Sequence, residues 1–429
     1  MNNLSLYIHI PFCVRKCHYC DFLSAPCNEE IRREYVETLC TEIAQRAKRF
    51  KDRKVDTIFF GGGTPSLLSA ELFGKIMTVL RQEFQIFSEA EISVEVNPGT
   101  VDREKLEAYQ KLGVNRLSIG LQSADNEELK VLGRIHTWEA FVQTWNLVRE
   151  LGFSNVNIDL MSALPGQTLA SYERTLRKVL GLKPEHISAY SLIIEEGTKF
   201  YEWFGEEEDV AQVTEEVQDF NLEDTVAAFK AKKLPDEITD RQMYEMTRHL
   251  LEQNGYHRYE ISNYALKGYE CKHNVGYWKR KEYLGLGLGA ASLVANVRSS
   301  NVSELATYLE VGQKVKKIAE ECASEKDILD LKSKLTMEQR EVDWIETQDS
   351  LSVNDQMEEF MFLGLRMMEG VSIAEFEKQF GKSLQEVYGK QISKLEKQGL
   401  LQFKEETGRY ALTLQGIDVS NQVFVEFID

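Results

Sequence analysis

Three cysteines stand within eight residues near the start of the chain, in the run Phe12-Cys13-Val14-Arg15-Lys16-Cys17-His18-Tyr19-Cys20-Asp21-Phe22. Thiolates are the usual protein ligands of iron–sulfur clusters, and four would saturate a cubane. Three from one compact loop, Cys13, Cys17 and Cys20, leave one iron without a protein thiolate. An open coordination position is what a metal needs to bind a small molecule. The competing reading of the same spacing is a zinc site completed by His9 or His18. Beside a cluster, those two histidines read as groups that support the ligands. The remaining cysteines, Cys27, Cys40, Cys271 and Cys322, are scattered and read as ordinary small apolar side chains.

Such a loop has to hang from rigid elements. Strand patterns occur at 4–10, 55–60, 91–97, 116–121, 155–161 and 186–192. Amphipathic helical stretches lie between them at 30–50, 70–84, 103–112, 138–151 and 169–180. This alternation predicts parallel strands joined by right-handed crossovers. Six such units fit a partial (β/α)6, TIM-like barrel, curled but partly open, with ligands at the C-terminal ends of the strands. The barrel is expected over 1–205. An α+β segment is expected to follow over 206–298, beginning with an acidic block at 206–224 that contains no Lys or Arg. That block reads as a solvated face. Residues 299–354 read as a charged helical connector. Residues 355–429, with three helices, two short strands and a last helix, read as a small winged-helix-like domain. Its candidate recognition helix carries Lys390, Lys394 and Lys397, and packing or docking suits it better than DNA binding.

Composition narrows the function. The formal net charge is −18, which argues against general affinity for nucleic acid or anionic lipid. A hydrophobic share of 43% and a charged share of 28% are ordinary for a soluble globular chain. The N-terminal apolar stretch holds a His and a Pro and runs straight into cysteines, unlike a secretory leader. No stretch approaches bilayer-spanning length. An odd number of cysteines, seven, in a chain read as leaderless points to metal ligation in a reducing compartment. The expected location is the cytoplasm, with membrane contact only through a partner.

With these motifs in view, the chain resembles the radical SAM superfamily, and closely the branch that contains oxygen-independent coproporphyrinogen III oxidase. The resemblance rests on the cysteine run, Gly61-Gly62-Gly63-Thr64-Pro65, Glu95-Val96-Asn97-Pro98 and Arg116-Leu117-Ser118-Ile119-Gly120-Leu121-Gln122. It implies a [4Fe–4S] cluster on Cys13, Cys17 and Cys20, with S-adenosyl-L-methionine (SAM) at the open iron. It also implies SAM binding by Tyr7, Gly62, Gly63, Thr64, Glu95, Gln122, Arg134 and Asp159. Each residue type suits the task. A glycine turn admits close backbone approach, Arg134 can meet a carboxylate with its planar fork, and Asp159 suits ribose hydroxyls.

Within that branch, the oxidases have a fourth cysteine two residues after the third, where this chain has Phe22, and a longer segment before the first strand. Both departures resemble instead the heme chaperones called HemW. So does the HNxxYW motif, present as His273-Asn274-Val275-Gly276-Tyr277-Trp278. An imidazole is a good axial ligand for heme iron, and Tyr and Trp offer flat apolar faces. The resemblance therefore implies heme binding with His273 as iron ligand beside Tyr277 and Trp278. It further implies delivery to apo-hemoproteins such as respiratory cytochromes, with the cluster and SAM gating transfer or governing formation of a homodimer. The second reading is an enzyme that oxidises coproporphyrinogen or runs another SAM-radical reaction. The third is a binding module whose cluster is structural or redox-sensing.

Overall fold

Alternation of apolar and polar residues, clearest in the first, third, fourth and fifth of the first six strands, decides how the chain folds. In the computed structural model, which describes residues 3–205, 229, 231–323 and 344–428, these strands are β1 (Leu4–Ile10), β2 (Lys54–Gly62), β3 (Gln85–Val96), β4 (Arg116–Gln122), β5 (Val156–Ser162) and β6 (His186–Ser191). They pair in parallel and in sequence order. One face of each strand is apolar. Leu6 and Ile8, Ile58 and Phe60, Val94, Ile119 and Ile158 are all buried. Helices Glu29–Arg46, Ala70–Glu83, Arg103–Lys111, Trp138–Glu150 and Leu169–Leu182 cover that face with Leu39, Phe73, Tyr109, Phe141 and Leu176. Burying side chains of this size contributes about 1.5–3 kcal/mol each, so this layer carries the stability of the unit.

The opposite, concave face is polar. The register aligns Tyr7 with Phe59, Phe59 with Ser93, Ser93 with Arg116, Glu95 with Ser118, Ser118 with Asn157, and Asp159 with Ser188. A barrel filled for stability carries branched apolar residues inside. The interior here is built to hold something polar.

The partial (β/α)6 barrel expected from sequence is present, and it stays open. β1 pairs on its free side with β9 (Tyr283–Leu286), not with β6. β9 leads antiparallel into β10 (Ala291–Val294), β11 (Val297–Asn301) and β12 (Ile345–Ser350). At the other edge β8 (Asn263–Ala265) and β7 (His257–Arg258) complete a twelve-stranded sheet. The charged helical connector expected over 299–354 does contain a helix, Leu305–Ala323, but the strands β11 and β12 on either side of it belong to this sheet. The edge sequence Ile345-Glu346-Thr347-Gln348-Asp349-Ser350 is polar and mostly exposed, with no strand beyond it among the described residues. The acidic block 206–224 lies outside the described residues.

Other boundaries move by one to six residues. β3 begins earlier than its alternation suggests because a register irregularity between Val55 and Thr57 lets 85–90 join the sheet. A short helix, Asn126–Val131, was not anticipated; Asp125 caps it by accepting from the backbone N–H groups of Glu127 and Glu128. After β12, helices Val353–Gly364, Ile373–Phe380 and Leu384–Lys397 enclose a second core with a three-stranded sheet, β13 (Val371–Ser372), β15 (Arg409–Leu412) and β14 (Leu401–Lys404). The expected last helix is two short ones, Leu414–Asp418 and Ser420–Val425. Buried Glu359 ties this unit to the large sheet, accepting from Arg280 Nε at 2.5 Å and Arg298 Nη2 at 2.7 Å. Among the described residues no helix is long and apolar enough to cross a membrane.

Candidate functional site

The cysteine loop emerges from the C-terminal end of β1 and is held by backbone bonds and by the side chains of Arg15 and His18. Cys13 N–H donates to Ala25 O and Ala25 N–H to Pro11 O, while His18 N–H donates to Leu132 O. The Arg15 guanidinium donates to Gly133 O at 2.9 Å. Cys13, Cys17 and Cys20 are all partly accessible. Burial pushes the Cys20 thiol up to about 11, with a smaller contribution from repulsion by Cys17 and Cys13. His9 and His18 do not join the three thiols. His9 shares Nδ1 with the Tyr7 hydroxyl at 3.0 Å and Nε2 with Leu23 O at 2.9 Å, and His18 Nδ1 meets Val131 O at 2.9 Å. Among the described residues no three His, Cys, Asp or Glu side chains converge tightly enough to hold a single ion. Three partly open thiols with no imidazole or carboxylate among them form a donor set that suits a cluster better than zinc.

The glycine turn lies against this loop. Gly62 has a φ of +112°, and a Cβ there would fall 2.6 Å from the His9 ring. A Cβ on Gly63 would fall 2.7 Å from Phe12 O, so the turn reaches the loop only because both positions lack side chains. Thr64 Oγ1 stands 3.5 Å from Cys13 Sγ and accepts from Asn97 Nδ2 at 2.8 Å. Arg134 closes the ring. Its guanidinium donates to Asn97 Oδ1 at 2.7 Å, to Gly120 O at 2.6 Å and to Cys17 Sγ at 3.7 Å. Cys13, Cys17, Thr64, Asn97 and Arg134 thus form one connected cradle from four segments distant in sequence.

Below the cradle, on the concave face, lie Tyr7, Glu95, Gln122 and Asp159. Burial, with repulsion from Asp159, pushes the Glu95 carboxyl up to about 8, although the Gly62 N–H pulls the other way. Burial also raises Asp159, against opposing bonds from Asn157 and Ser188 and the charge of Arg116. Glu95 and Asp159 are nonetheless half-accessible, so they border an interior space. Gln122 holds a φ of 72°, rare for a residue with a side chain, and accepts from the Tyr190 hydroxyl at 3.3 Å. Because folded Glu95 keeps a proton that the unfolded chain has released, stability falls as pH rises from about 4.5 to about 8. Over that window the chain is expected to lose about 2–4 kcal/mol relative to Glu95→Gln, measured as urea-unfolding midpoints of metal-free protein. Parallel curves for the two proteins would refute it.

His273 lies deeper in the same interior. The motif helix Lys272–Trp278 packs on β2, and the Glu91 carboxylate of β3 caps it, accepting from Lys272 N–H at 3.0 Å and His273 N–H at 3.1 Å. The His273 ring is 1% exposed and stacks on Phe59 with centroids 5.1 Å apart. Its Nδ1 shares a hydrogen bond with Thr57 Oγ1 at 2.8 Å, and its Nε2 one with the Tyr277 hydroxyl at 2.9 Å. Burial and the Arg116 charge push its pKa down to about 3, so it is neutral. The HNxxYW motif led to the expectation that His273 binds iron. In this arrangement neither ring nitrogen is free, and one bond would have to be given up first. Tyr277 and Trp278 face a largely apolar cavity of about 470 Å³ that Tyr7 also lines. Buried Trp278 Nε1 has no acceptor among the described residues.

Several residues of this interior escaped the sequence analysis. Glu91, Asn157, His186 and Tyr259 form a buried polar chain. Asn157 donates to Asp159 Oδ1 at 2.7 Å, His186 bridges Asn157 Oδ1 and the Tyr259 hydroxyl, and that hydroxyl accepts from Cys271 N–H. The signal available was the alternation of polar residues inside otherwise apolar strands.

Comparison with known proteins agrees with this layout. A family model described as the Radical SAM superfamily matches residues 7–179, and one described as the HemN C-terminal domain matches 351–419. The "Heme chaperone HemW" of Lactococcus lactis is 34% identical over 99% of this chain and 97% of its own length. The chain belongs to the HemW family. A second member, the "Heme chaperone HemW" of Escherichia coli, is 40% identical over 67% of this chain and 69% of its own. The solved coproporphyrinogen III oxidase (HemN) of Escherichia coli, described as a radical SAM enzyme, shares the fold. Its TM-score is 0.76 at 23% identity, over 99% of this chain and 90% of that one.

Proposed function

We propose that this HemW-family chain is a heme chaperone whose cargo is carried against the motif helix and whose radical SAM centre governs hand-over to apo-hemoproteins, respiratory cytochromes among them. The observation that carries this reading is a shared wall. Tyr7 borders the aromatic cavity with Tyr277 and Trp278, and its ring meets the Glu95 carboxyl group over Gly61, where a Cβ would fall 3.0 Å from the Tyr7 ring and 3.3 Å from Glu95 Oε2. A ligand lodged beside Glu95 and cargo lodged against the motif helix would therefore press on the same side chain.

In this reading Cys13, Cys17 and Cys20 hold a [4Fe–4S] cluster, which supplies an iron with an open position. Gly62, Gly63 and Thr64 present the turn to the SAM amino acid moiety. Arg134 neutralises charge at the cradle, and Glu95, Gln122 and Asp159 offer acceptors to ammonium and hydroxyl groups. Trp278 supplies an apolar face to the macrocycle. His273 and Tyr277, bonded to each other, fix the helix that presents it. The chain works in the cytoplasm and reaches a membrane-bound acceptor only by docking, and a second copy of the chain is the natural partner while cargo is held.

Anaerobic reconstitution followed by titration with SAM and then hemin tests the whole reading. Iron and sulfide in about equal amounts are expected, with a cluster EPR signal that shifts on SAM addition and a Soret band that saturates near one heme per chain. A cluster blind to SAM would leave only the binding-module reading. SAM cleavage that depends on coproporphyrinogen would turn the assignment toward the oxidase.

A further inference from the structure

The aromatic cavity beside the motif helix has a single charged wall. The sheet register sets Tyr283 of β9, Leu293 of β10 and Arg298 of β11 side by side, and all three line this space of about 470 Å³. Tyr277 meets Tyr283 edge to face, with ring centroids 4.6 Å apart. The surface therefore runs from the motif helix over aromatic and aliphatic groups to a guanidinium. Among the described residues that line the cavity, Arg298 alone is charged. Leu363 also lines it, one turn after Glu359 on helix Val353–Gly364.

We propose that Arg298 binds a propionate carboxylate of the heme cargo and so makes the cavity prefer porphyrins that carry free acid groups. The proposal rests on the chaperone reading above and names a binding residue within it. Heme is a flat apolar macrocycle with two carboxylates along one edge. An apolar cavity with one guanidinium on its β11 side matches both parts. Arginine suits the task because its planar fork can meet a carboxylate with two parallel N–H groups.

Arg298 has that fork to offer. Its side chain is 43% exposed, and among the described residues only Nη2 is engaged, donating to Glu359 Oε1 at 2.7 Å. Asp349 stands opposite it on β12, but no ion pair joins the two among the described residues. Glu359 does not depend on Arg298, because buried Arg280 donates from Nε to its other oxygen at 2.5 Å. Two guanidiniums thus converge on one buried carboxylate. Arg280 Nη2 and Trp278 Nε1 are both buried with no acceptor among the described residues. Buried donors are ordinarily satisfied, so this corner is short of acceptors. A carboxylate from the cargo supplies them, and Glu359 keeps Arg280 while it does.

The test compares hemin with hemin dimethyl ester, whose two acid groups are blocked, on the full-length, anaerobically reconstituted chain. Both are delivered from the same detergent solution and followed by Soret absorbance. Wild-type chain is expected to bind hemin about tenfold more tightly than the ester, with a preference that shrinks as salt is added. Arg298→Gln is expected to bind hemin only as tightly as wild type binds the ester, and to bind the ester as wild type does. A purely structural role for Arg298 would instead weaken both cargoes alike. That result, an Arg298→Gln variant that prefers hemin as strongly as wild type, or a wild type with no preference overturns the assignment and leaves the chaperone reading standing. If wild-type chain gives no Soret band with either compound, the chaperone reading falls and this proposal with it. Equal near-ultraviolet circular dichroism and iron content in the two proteins show that the fold is retained.

Discussion

Replacing Cys13, Cys17 and Cys20 together with serine is expected to take iron from about four per chain to background after anaerobic reconstitution, with sulfide falling in parallel. The effect should be complete because hydroxyl groups do not replace thiolates around iron and sulfide. It should also be confined to the metal. The loop is fixed by backbone bonds through Cys13, His18 and Ala25 and by Arg15 on Gly133 O, none of which uses a cysteine sulfur. Thermal unfolding of the metal-free triple variant should therefore match that of metal-free wild type. SAM binding should be lost along with the cluster, since the cradle formed by Thr64, Asn97 and Arg134 is arranged around Cys13 and Cys17. Zinc found in the reconstituted wild type, or iron retained by the triple variant, would sink the assignment.

The largest effect on stability is expected far from the cluster, at Glu42. This carboxylate is completely buried on helix Glu29–Arg46. It accepts from Arg46 Nη1 at 3.1 Å, Asn301 Nδ2 at 2.8 Å, the Tyr308 hydroxyl at 2.7 Å and Gly287 N–H at 2.8 Å. Arg46 in turn donates to Gly285 O and Asn301 Oδ1. The pair thus fastens β9 and β11, which flank the open side of the barrel, to the first helix. Glu42→Ala leaves the Arg46 charge buried without its partner, and the expected cost is about 3–5 kcal/mol, read as a lower denaturant midpoint. The double change Glu42→Ala with Arg46→Met should recover much of that loss, because two buried charges leave together. A single variant within about 0.5 kcal/mol of wild type would show that the network does not hold the edge.

The two predictions mark the division between sequence and structure. The cluster loop was legible because its chemistry is local: three thiols in eight residues need only the loop that carries them. The Glu42 network was not, because its partners Gly287, Asn301 and Tyr308 lie more than 240 residues along the chain. In sequence, Glu42 looks like one of many helix carboxylates. The same distinction explains the strand β12. Its polar residues read as connector because an edge strand has solvent where a central strand has neighbours.

Hydrophobic periodicity and motif spacing by themselves determined the six strand–helix units, their parallel order and the end of the sheet where the cysteines sit. These follow from local patterns that only one packing buries. Tertiary structure alone decided which strands flank the open barrel, β9 beside β1 and β8 beside β6, and that its concave face carries a continuous polar interior. It alone also commits both ring nitrogens of His273, one to Thr57 and the other to Tyr277. A motif names a residue, but the availability of a ring nitrogen depends on which hydroxyls and carboxylates other segments bring within hydrogen-bond reach.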